Sequence, residues 1–285
     1  LRPMPWARLG LARALHQAGD AARCKEALND LIAESPRLMA AYDLLGKVHL
    51  AAGDADAAIA VLDSACVVSP RSLARHRAIA TVAEEKGDFS RVEQALGQVI
   101  KRTRNSPLRE AGDFARLGNA LTEMGEPAKA VALLEEARTT FKDDANNPLL
   151  AAVEAVAQQK AGNPEKAEAA LARALQGDSS KRPEAVAMAI AKACLVTGQQ
   201  EAAQGILKNM VQSNPESKEL HARIETVMRE NGAPDLADQL IRESIREIIQ
   251  LNNEAVRRAK AGELAVAAAM HGLVVELDDF TNAFA

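Results

Sequence analysis

The side chains best suited to metal binding or acid–base catalysis are scattered along this chain of 285 residues. No two of its five histidines stand three or four residues apart, so no helix would direct two imidazole rings to one metal ion. The motifs GxSxG, GxGxxG and GxxxxGK[ST] do not occur. The sequence therefore predicts a protein that is not an enzyme and that binds no metal and no cofactor.

Three cysteines could act as nucleophiles or form disulfides, but their number is odd and they are far apart: Cys24, Cys66 and Cys194. Each falls on or beside a position that small residues occupy in the repeats described below, where a thiol packs as a compact apolar group. We therefore expect them to be structural. The absence of a disulfide framework in the sequence favours a reducing compartment, which we interpret as the cytoplasm.

A repeat defines the elements that would position any functional residue. A glycine followed by a small polar residue occurs at Gly19-Asp20, Gly53-Asp54 and Gly87-Asp88, and successive glycines are 34 residues apart. With slightly altered spacing the pattern continues at Gly125-Glu126, Gly162-Asn163, Gly198-Gln199, Gly232-Ala233 and Gly262-Glu263. A period of this length is typical of solenoid proteins, in which short repeats stack and bury a shared core.

Each repeat has the pattern of a helical hairpin. In the second repeat, apolar residues recur every three or four positions on both sides of Gly53. We expect Gly53 to end the first helix in the left-handed conformation and Asp54 to cap the next helix. Pro70 would end that second helix. The small residues Gly46 and Ala58 indicate where the two helices cross at close range.

This pattern resembles the tetratricopeptide repeat, whose signature is a bulky residue, Leu-Gly, a large apolar residue, a Gly-Asp turn, alanines and a proline. The fourth repeat shows it clearly: Phe114, Leu117, Gly118, Leu121, Gly125, Ala130, Leu134 and Ala137. One departure is Glu154, which stands in the fifth repeat where leucine is expected. The resemblance implies an all-α fold, an α-α superhelix of about seven to eight helical hairpins.

We predict one tetratricopeptide solenoid over residues 1–285, without an internal domain boundary. Its repeats would span approximately 5–36, 37–70, 71–107, 108–144, 145–180, 181–215, 216–248 and 249–285. The stretch from Asp235 to Ala261 contains neither glycine nor proline. We expect either one long helix there or two nearly continuous helices with a hinge at Asn252-Asn253.

In tetratricopeptide proteins the first helix of each hairpin lines a concave groove, and the resemblance assigns groove positions here. These candidate binding residues are Arg13, Asp43, Lys47, Arg77, Thr81, Arg116, Asn119, Lys192, Arg223, Thr226 and Arg229, together with Trp6. Rigidly held basic side chains on successive repeats could bind an acidic segment by charge-assisted hydrogen bonds. The alternative is a face that is solvated or paired within the protein.

The family's chaperone-tail binders carry a Lys and an Asn four residues apart, whereas the matching positions here are Arg77 and Thr81. This departure argues against binding of chaperone C-termini. The chain has 35 basic and 39 acidic residues and a net charge of −4, which disfavours nucleic acid as a partner. No apolar run is long enough to span a bilayer, so we expect no membrane contact. The predicted partner is a protein or peptide.

A narrower resemblance is to the tetratricopeptide output region of bacterial response regulators that join a receiver domain to the repeats. It depends on four segments: 5–12, 41–45, 69–71 and 251–256. The resemblance implies an adaptor of a two-component phosphorelay, with a receiver domain before Leu1 in contact with the repeats. The alternative is a constitutive peptide-binding assembly or co-chaperone scaffold that does not depend on phosphorylation.

The aromatic residues near the two ends have separate interpretations. Trp6 would pack under whatever precedes the repeats or serve as a binding anchor. Phe280 and Phe284 lie in the last six residues, although terminal repeats of a solenoid normally present a polar cap. Either further repeats follow in the complete protein, or these rings dock on the last hairpin or in a homodimer.

Overall fold

The computed structural model of the chain describes residues 4–141, 147–177, 182–214 and 217–270. Within these ranges the secondary structure is helical, with no β-strand, which confirms the all-α class. The chain divides into two compact bodies, Leu1–Phe141 and Lys142–Ala285. The prediction of one continuous solenoid over 1–285 remains a prediction.

The N-terminal body contains four helical hairpins, each formed by two successive helices. The helices are α1 (Pro5–Gln17), α2 (Ala21–Glu34), α3 (Met39–Ala51), α4 (Ala55–Val68), α5 (Leu73–Glu85), α6 (Phe89–Thr103), α7 (Ala111–Glu123) and α8 (Pro127–Thr140). Each helix through α7 packs against the helix that follows it. The consecutive hairpins predicted from the glycine period are confirmed.

The C-terminal body contains three more hairpins within the described residues. Its helices are α9 (Pro148–Lys160), α10 (Pro164–Ala174), α11 (Glu184–Val196), α12 (Gln200–Ser213), α13 (Lys218–Glu230) and α14 (Pro234–Lys260). After Gly262, residues 264–270 are again helical. Helix α14 runs through Asn252-Asn253 without a break, so the one-helix alternative for this stretch is the correct one.

The turn inside the second hairpin shows why glycine and aspartate recur. Gly53 has a φ of +73°, a left-handed conformation that only glycine adopts without strain. The Asp54 carboxylate then accepts a 3.0 Å hydrogen bond from the amide of Ala57, which caps α4. That hydrogen bond holds the pKa of Asp54 below its usual value. The predicted roles of both residues are confirmed.

Small and aliphatic side chains form the cores of both bodies. In the N-terminal body one cluster joins the first two hairpins: Leu9, Ala12, Cys24, Leu28, Leu31, Ala41, Leu45 and Val48. In the C-terminal body a larger cluster extends from Ala151 to Ala237. Helix α9 is buried on all sides, because every residue from Leu150 to Gln158 is buried. Neighbouring hairpins therefore share a core, as expected for stacked repeats.

The glycines at the helix crossings differ in how closely the partner helix approaches. A Cβ added at Gly46 would lie 3.5 Å from the side chain of Leu62, which is ordinary contact. At Gly118, the same position in the fourth repeat, a Cβ would lie 3.1 Å from three side-chain carbons of Leu134. Leu134 is only 1% exposed and has little room to move.

We expect alanine to have opposite effects at these two positions. Gly46→Ala should stabilise the fold by about 0.5 to 1 kcal/mol, because alanine favours the helix and fits the space. Gly118→Ala should destabilise it by about 1 kcal/mol, because overpacking against Leu134 outweighs the same helical gain. Urea unfolding of the full chain, with hydrogen exchange read on α3 and α7, measures both. Equal signs would contradict the close crossing at Gly118.

Candidate partner-binding face

In the N-terminal body, the residue six positions before the turn glycine is polar in every hairpin and lies on its first helix. This row, named here the A-helix row, consists of Arg13, Lys47, Thr81 and Asn119. Arg13, Lys47 and Thr81 are exposed and Asn119 is half-buried, while the opposite sides of the same helices pack in the core. Among the described residues, Arg13 and Lys47 form no ion pair. They are the cations of the row that are available to a ligand.

Arg77 is held by groups on the next hairpin. Its guanidinium donates two hydrogen bonds to the Asp113 carboxylate, at 3.0 Å from Nε and 2.7 Å from Nη2. It also lies 2.7 Å from Glu110 Oε1 and donates to the carbonyl oxygen of Leu108 at 3.3 Å. The Asp113 side chain is 4% exposed, and its hydrogen bonds raise the pKa of Arg77. The positive charge of Arg77 is thus neutralised inside the protein.

Arg116 is held in the same way by the preceding hairpin. It donates to both oxygens of Glu84, at 2.9 and 2.8 Å, and to the hydroxyl of Thr81 at 3.0 Å. Asp43 in turn accepts two hydrogen bonds from Arg75, at 2.7 and 3.0 Å. These three bidentate pairs each connect successive hairpins. Asp43, Arg77 and Arg116 are thus paired within the protein, which is the alternative to ligand binding stated in the sequence analysis.

In the C-terminal body the predicted face is also largely engaged. Arg223 pairs with Glu184 of α11 at 2.7 Å, and Arg229 pairs with Glu225 one turn away at 2.8 Å. The hydroxyl of Thr226 donates to the carbonyl oxygen of Ala222 at 2.9 Å. Lys192 is half-buried and also makes an internal interaction. This face offers fewer unpaired charges than the sequence suggests.

The pairing of these arginines with carboxylates of neighbouring hairpins was not identified from the sequence. Glu84 precedes Arg116 by 32 positions, Asp43 precedes Arg75 by 32, and Asp113 follows Arg77 by 36. These separations lie close to the repeat period, because the partners stand on the same face of adjacent hairpins. Opposite charges separated by about one repeat are therefore the signal that could have found them.

The remaining candidate residues give no sign of a reaction centre. Within the described ranges, no three His, Cys, Asp or Glu side chains come together as a metal site requires. Trp6 is 70% exposed. His221 is buried, and this burial lowers the pKa of its imidazole. No helix in these ranges combines the length and apolar character needed to span a bilayer. Phe280 and Phe284 lie outside the described residues.

The cysteines occupy packing positions. Cys24 and Cys194 are fully buried and Cys66 is half-buried. The thiol of Cys24 donates to the carbonyl oxygen of Ala12 at 3.1 Å. Burial raises the pKa of all three thiols, and that of Cys194 to about 11. Cys24 and Cys194 thus pack as compact apolar groups.

The thiols of Cys24 and Cys194 should therefore react slowly with a thiol reagent in the native protein. At pH 8, about one Cys194 thiol in a thousand would be ionised, and the reagent cannot reach it without local opening. We expect Cys66→Ser protein to show no fast-reacting thiol when titrated with an aromatic disulfide, and two reactive thiols after denaturation. Fast reaction of this variant in the native state would contradict the burial of Cys24 and Cys194.

Comparison with known proteins agrees with this architecture. The tetratricopeptide repeat model matches residues 5–29, 39–64 and 148–173, which fall on the hairpins α1/α2, α3/α4 and α9/α10. A tetratricopeptide repeat protein from Parabacteroides merdae aligns with a TM-score of 0.58 at 12% identity, over 97% of this chain and 98% of that one. This similarity concerns the fold alone.

Two other solved structures are similar at a lower level. PilF of Pseudomonas aeruginosa aligns with a TM-score of 0.47 and 18% identity, over 79% of this chain and 97% of that one. The MamA protein aligns with a TM-score of 0.49 and 18% identity, over 60% and 90%. No curated protein sequence gives a significant match. The tetratricopeptide repeat model thus matches three of the hairpins, and the consecutive hairpins are typical of a tetratricopeptide solenoid.

Proposed function

We propose that this chain is a non-catalytic scaffold that binds a protein or peptide partner along the first helices of its hairpins. Proteins with this repeat generally mediate protein–protein interactions. The A-helix row carries the proposal, because it presents side chains at a regular spacing on helices that adjacent hairpins hold in place. The bidentate pairs of Arg75, Arg77 and Arg116 connect successive hairpins and so help to hold these helices in fixed positions.

Arg13 and Lys47 are the side chains expected to contact the partner most directly. They are exposed, occupy the same repeat position and form no ion pair within the described residues. Their charges would favour a partner segment with acidic side chains. Arg77 and Arg116 contribute indirectly, because each is already bound to a carboxylate and would lose that bond to reach a ligand.

Charge reversal on the A-helix row tests this proposal. The variant Arg13→Glu, Lys47→Glu and a control variant Arg23→Glu, Arg138→Glu carry the same net charge, and all four side chains are exposed in the N-terminal body. Both tagged proteins are cross-linked in native cells, and the attached proteins are quantified by mass spectrometry. The partner should be lost from the first variant only. Equal recovery from both variants would place the partner elsewhere.

We further propose that the scaffold is the output region of a cytoplasmic bacterial response regulator. The motivation is the resemblance of the segments 5–12, 41–45, 69–71 and 251–256 to that family. The intact mass of the native protein, before and after treatment with a small phosphodonor, tests it. A mass that includes an additional domain and gains a phosphate supports the adaptor.

A native mass equal to the 30.3 kDa of this chain, without phosphate, would instead favour the constitutive assembly or co-chaperone scaffold.

The homodimer proposed for the C-terminal end has its own test. Light scattering across a range of protein concentrations should show a dimer, and a monomer throughout would exclude it.

A further inference from the structure

A second surface of the N-terminal body concentrates positive charge where α6 ends. Five basic residues lie on the last turn of α6, on the loop that follows it and on the loop before α5: Arg71, Lys101, Arg102, Arg104 and Arg109. We name this group the basic edge. Four of them are exposed and Arg109 is half-buried. None of the five forms an ion pair with a carboxylate among the described residues.

Several carboxylates of α3, α4 and the start of α7 are already paired with other arginines, so they do not form ion pairs with the basic edge. The pairs are Asp43 with Arg75, Asp63 with Arg91, and Glu110 and Asp113 with Arg77. Part of the positive charge is compensated by the C-terminus of α6, where Lys101 and Arg102 stand in the last turn. A helix terminus carries only about half an elementary charge, so most of the five charges remain.

An open cavity with a mostly apolar lining lies beside two residues of the basic edge, Arg71 and Arg102, and the hydroxyl residues Thr103 and Ser106 also line it. Its volume is about 420 Å³, and its walls include Pro70, Leu73 and Leu108 together with the charged side chains of Arg71 and Arg102. Leu108 is 61% exposed, so its side chain is accessible at the cavity wall. The cavity thus combines an apolar surface with two cations at its rim, as ligand sites commonly do.

The loop that carries Leu108 is held in place from both sides. The amide of Leu108 donates to the Ser106 hydroxyl at 3.2 Å, and its carbonyl oxygen accepts from Arg77 at 3.3 Å. The amide of Arg109 donates to the carbonyl oxygen of Ser106 at 3.3 Å. The backbone is therefore fixed while the leucine side chain remains exposed, which lowers the entropy cost of binding there.

Two side chains that carry no negative charge orient Arg102. Its Nη2 donates to the side-chain oxygen of Gln98 at 3.2 Å, and its Nη1 lies 3.1 Å from Nε2 of His76. Neither partner carries a negative charge. The guanidinium is thus positioned at the cavity rim and keeps a net positive charge for an anionic ligand.

We propose that the basic edge binds an acidic peptide segment with one apolar side chain. Carboxylates of the segment pair with Arg71 and Arg102, and the apolar side chain enters the cavity beside Leu108. A peptide fits better than nucleic acid, because the cavity walls contain no aromatic ring on which a base could stack. This site uses none of the A-helix row, so it can fail or succeed independently of the function proposed above.

Fluorescence anisotropy with a defined probe tests the proposal on the full chain. The probe is a short fluorescein-labelled peptide of Glu and Asp around one central Leu, and the control peptide has Ser at the centre. We expect the variant Arg71→Glu, Arg102→Glu to bind the Leu peptide about tenfold more weakly or worse. The charge-matched variant Arg23→Glu, Arg138→Glu should bind it nearly as well as the natural chain.

Leu108→Ser tests the apolar part of the site, with thermal unfolding by circular dichroism as the check on folding. We expect about fivefold weaker binding of the Leu peptide and no change for the Ser peptide. Equal losses in the two charge-reversal variants would overturn the proposal, and so would an unchanged affinity of Leu108→Ser. Tighter binding of a single-stranded oligonucleotide of matched charge, insensitive to Leu108→Ser, would reassign the edge to nucleic acid.

Discussion

Replacing Arg77 by alanine should lower the free energy of unfolding of the N-terminal body by about 3 kcal/mol. The change leaves the Asp113 carboxylate, 4% exposed, without its bidentate partner. Removing one member of a buried pair is costly because the remaining charge is desolvated and uncompensated. Arg77 itself is 24% exposed, so the lower end of the usual range is expected. Hydrogen exchange of α5 and α7, with urea unfolding of the full chain, measures the effect.

Arg116→Ala is the matched control for this prediction. It removes a bidentate pair of the same kind, but the partner Glu84 is 32% exposed and can be hydrated. The expected cost is therefore below about 1 kcal/mol. The double variant Arg77→Ala, Asp113→Asn should recover much of the stability lost in Arg77→Ala, since no buried charge remains. Equal costs for Arg77→Ala and Arg116→Ala would show that burial of Asp113 is not the cause.

The second large effect is expected at the ion pair between α9 and α10. Arg173 Nη2 lies 3.0 Å from Oε2 of Glu154, whose side chain is 7% exposed in a helix that is buried all round. Arg173→Met should destabilise the C-terminal body by about 3 kcal/mol, because the carboxylate is left unpaired in the core. Hydrogen exchange of α9 in the full chain provides the measurement.

Removing the other partner of this ion pair should have a different effect on stability. Glu154→Leu restores the residue expected in the repeat, and Arg173, which is 23% exposed, can turn toward water. We expect this variant to be as stable as the natural chain or more stable by about 1 kcal/mol. Lys208→Met serves as the control, because its partner Glu243 is 27% exposed. If Glu154→Leu were as unstable as Arg173→Met, the unpaired buried carboxylate would not be the cause of the destabilisation.

The hairpin architecture could be predicted because its determinants are local. A glycine such as Gly53 and the capping aspartate that follows act within a few residues, and their recurrence reveals the repeat. The small residue Gly46 likewise indicates a helix crossing. By contrast, the closer approach at Gly118 depends on how Leu134 packs, which the pattern of residue types does not contain.

The charge pairing across hairpins could not be predicted to the same degree. Position in the repeat was enough to place Arg77 and Arg116 on one face, but their partners lie on neighbouring hairpins among 39 acidic residues. The repeat pattern placed Glu154 at a leucine position, but it did not reveal that Arg173 on the next helix pairs with the buried carboxylate. The basic edge was missed for a related reason: its members span a helix end and two loops, where no periodicity connects them.

The basic edge and the ion pairs between helices differ in exposure to solvent, so they should respond differently to ionic strength. The partly buried pairs Arg77–Asp113 and Arg173–Glu154 are weakly screened, whereas the basic edge faces solvent. The screening length falls from about 8 Å at physiological ionic strength to about 3 Å at 1 M. Concentrated salt should therefore release the acidic segment that we propose for the edge while the partly buried pairs between helices persist, so loss of this ligand would not require unfolding.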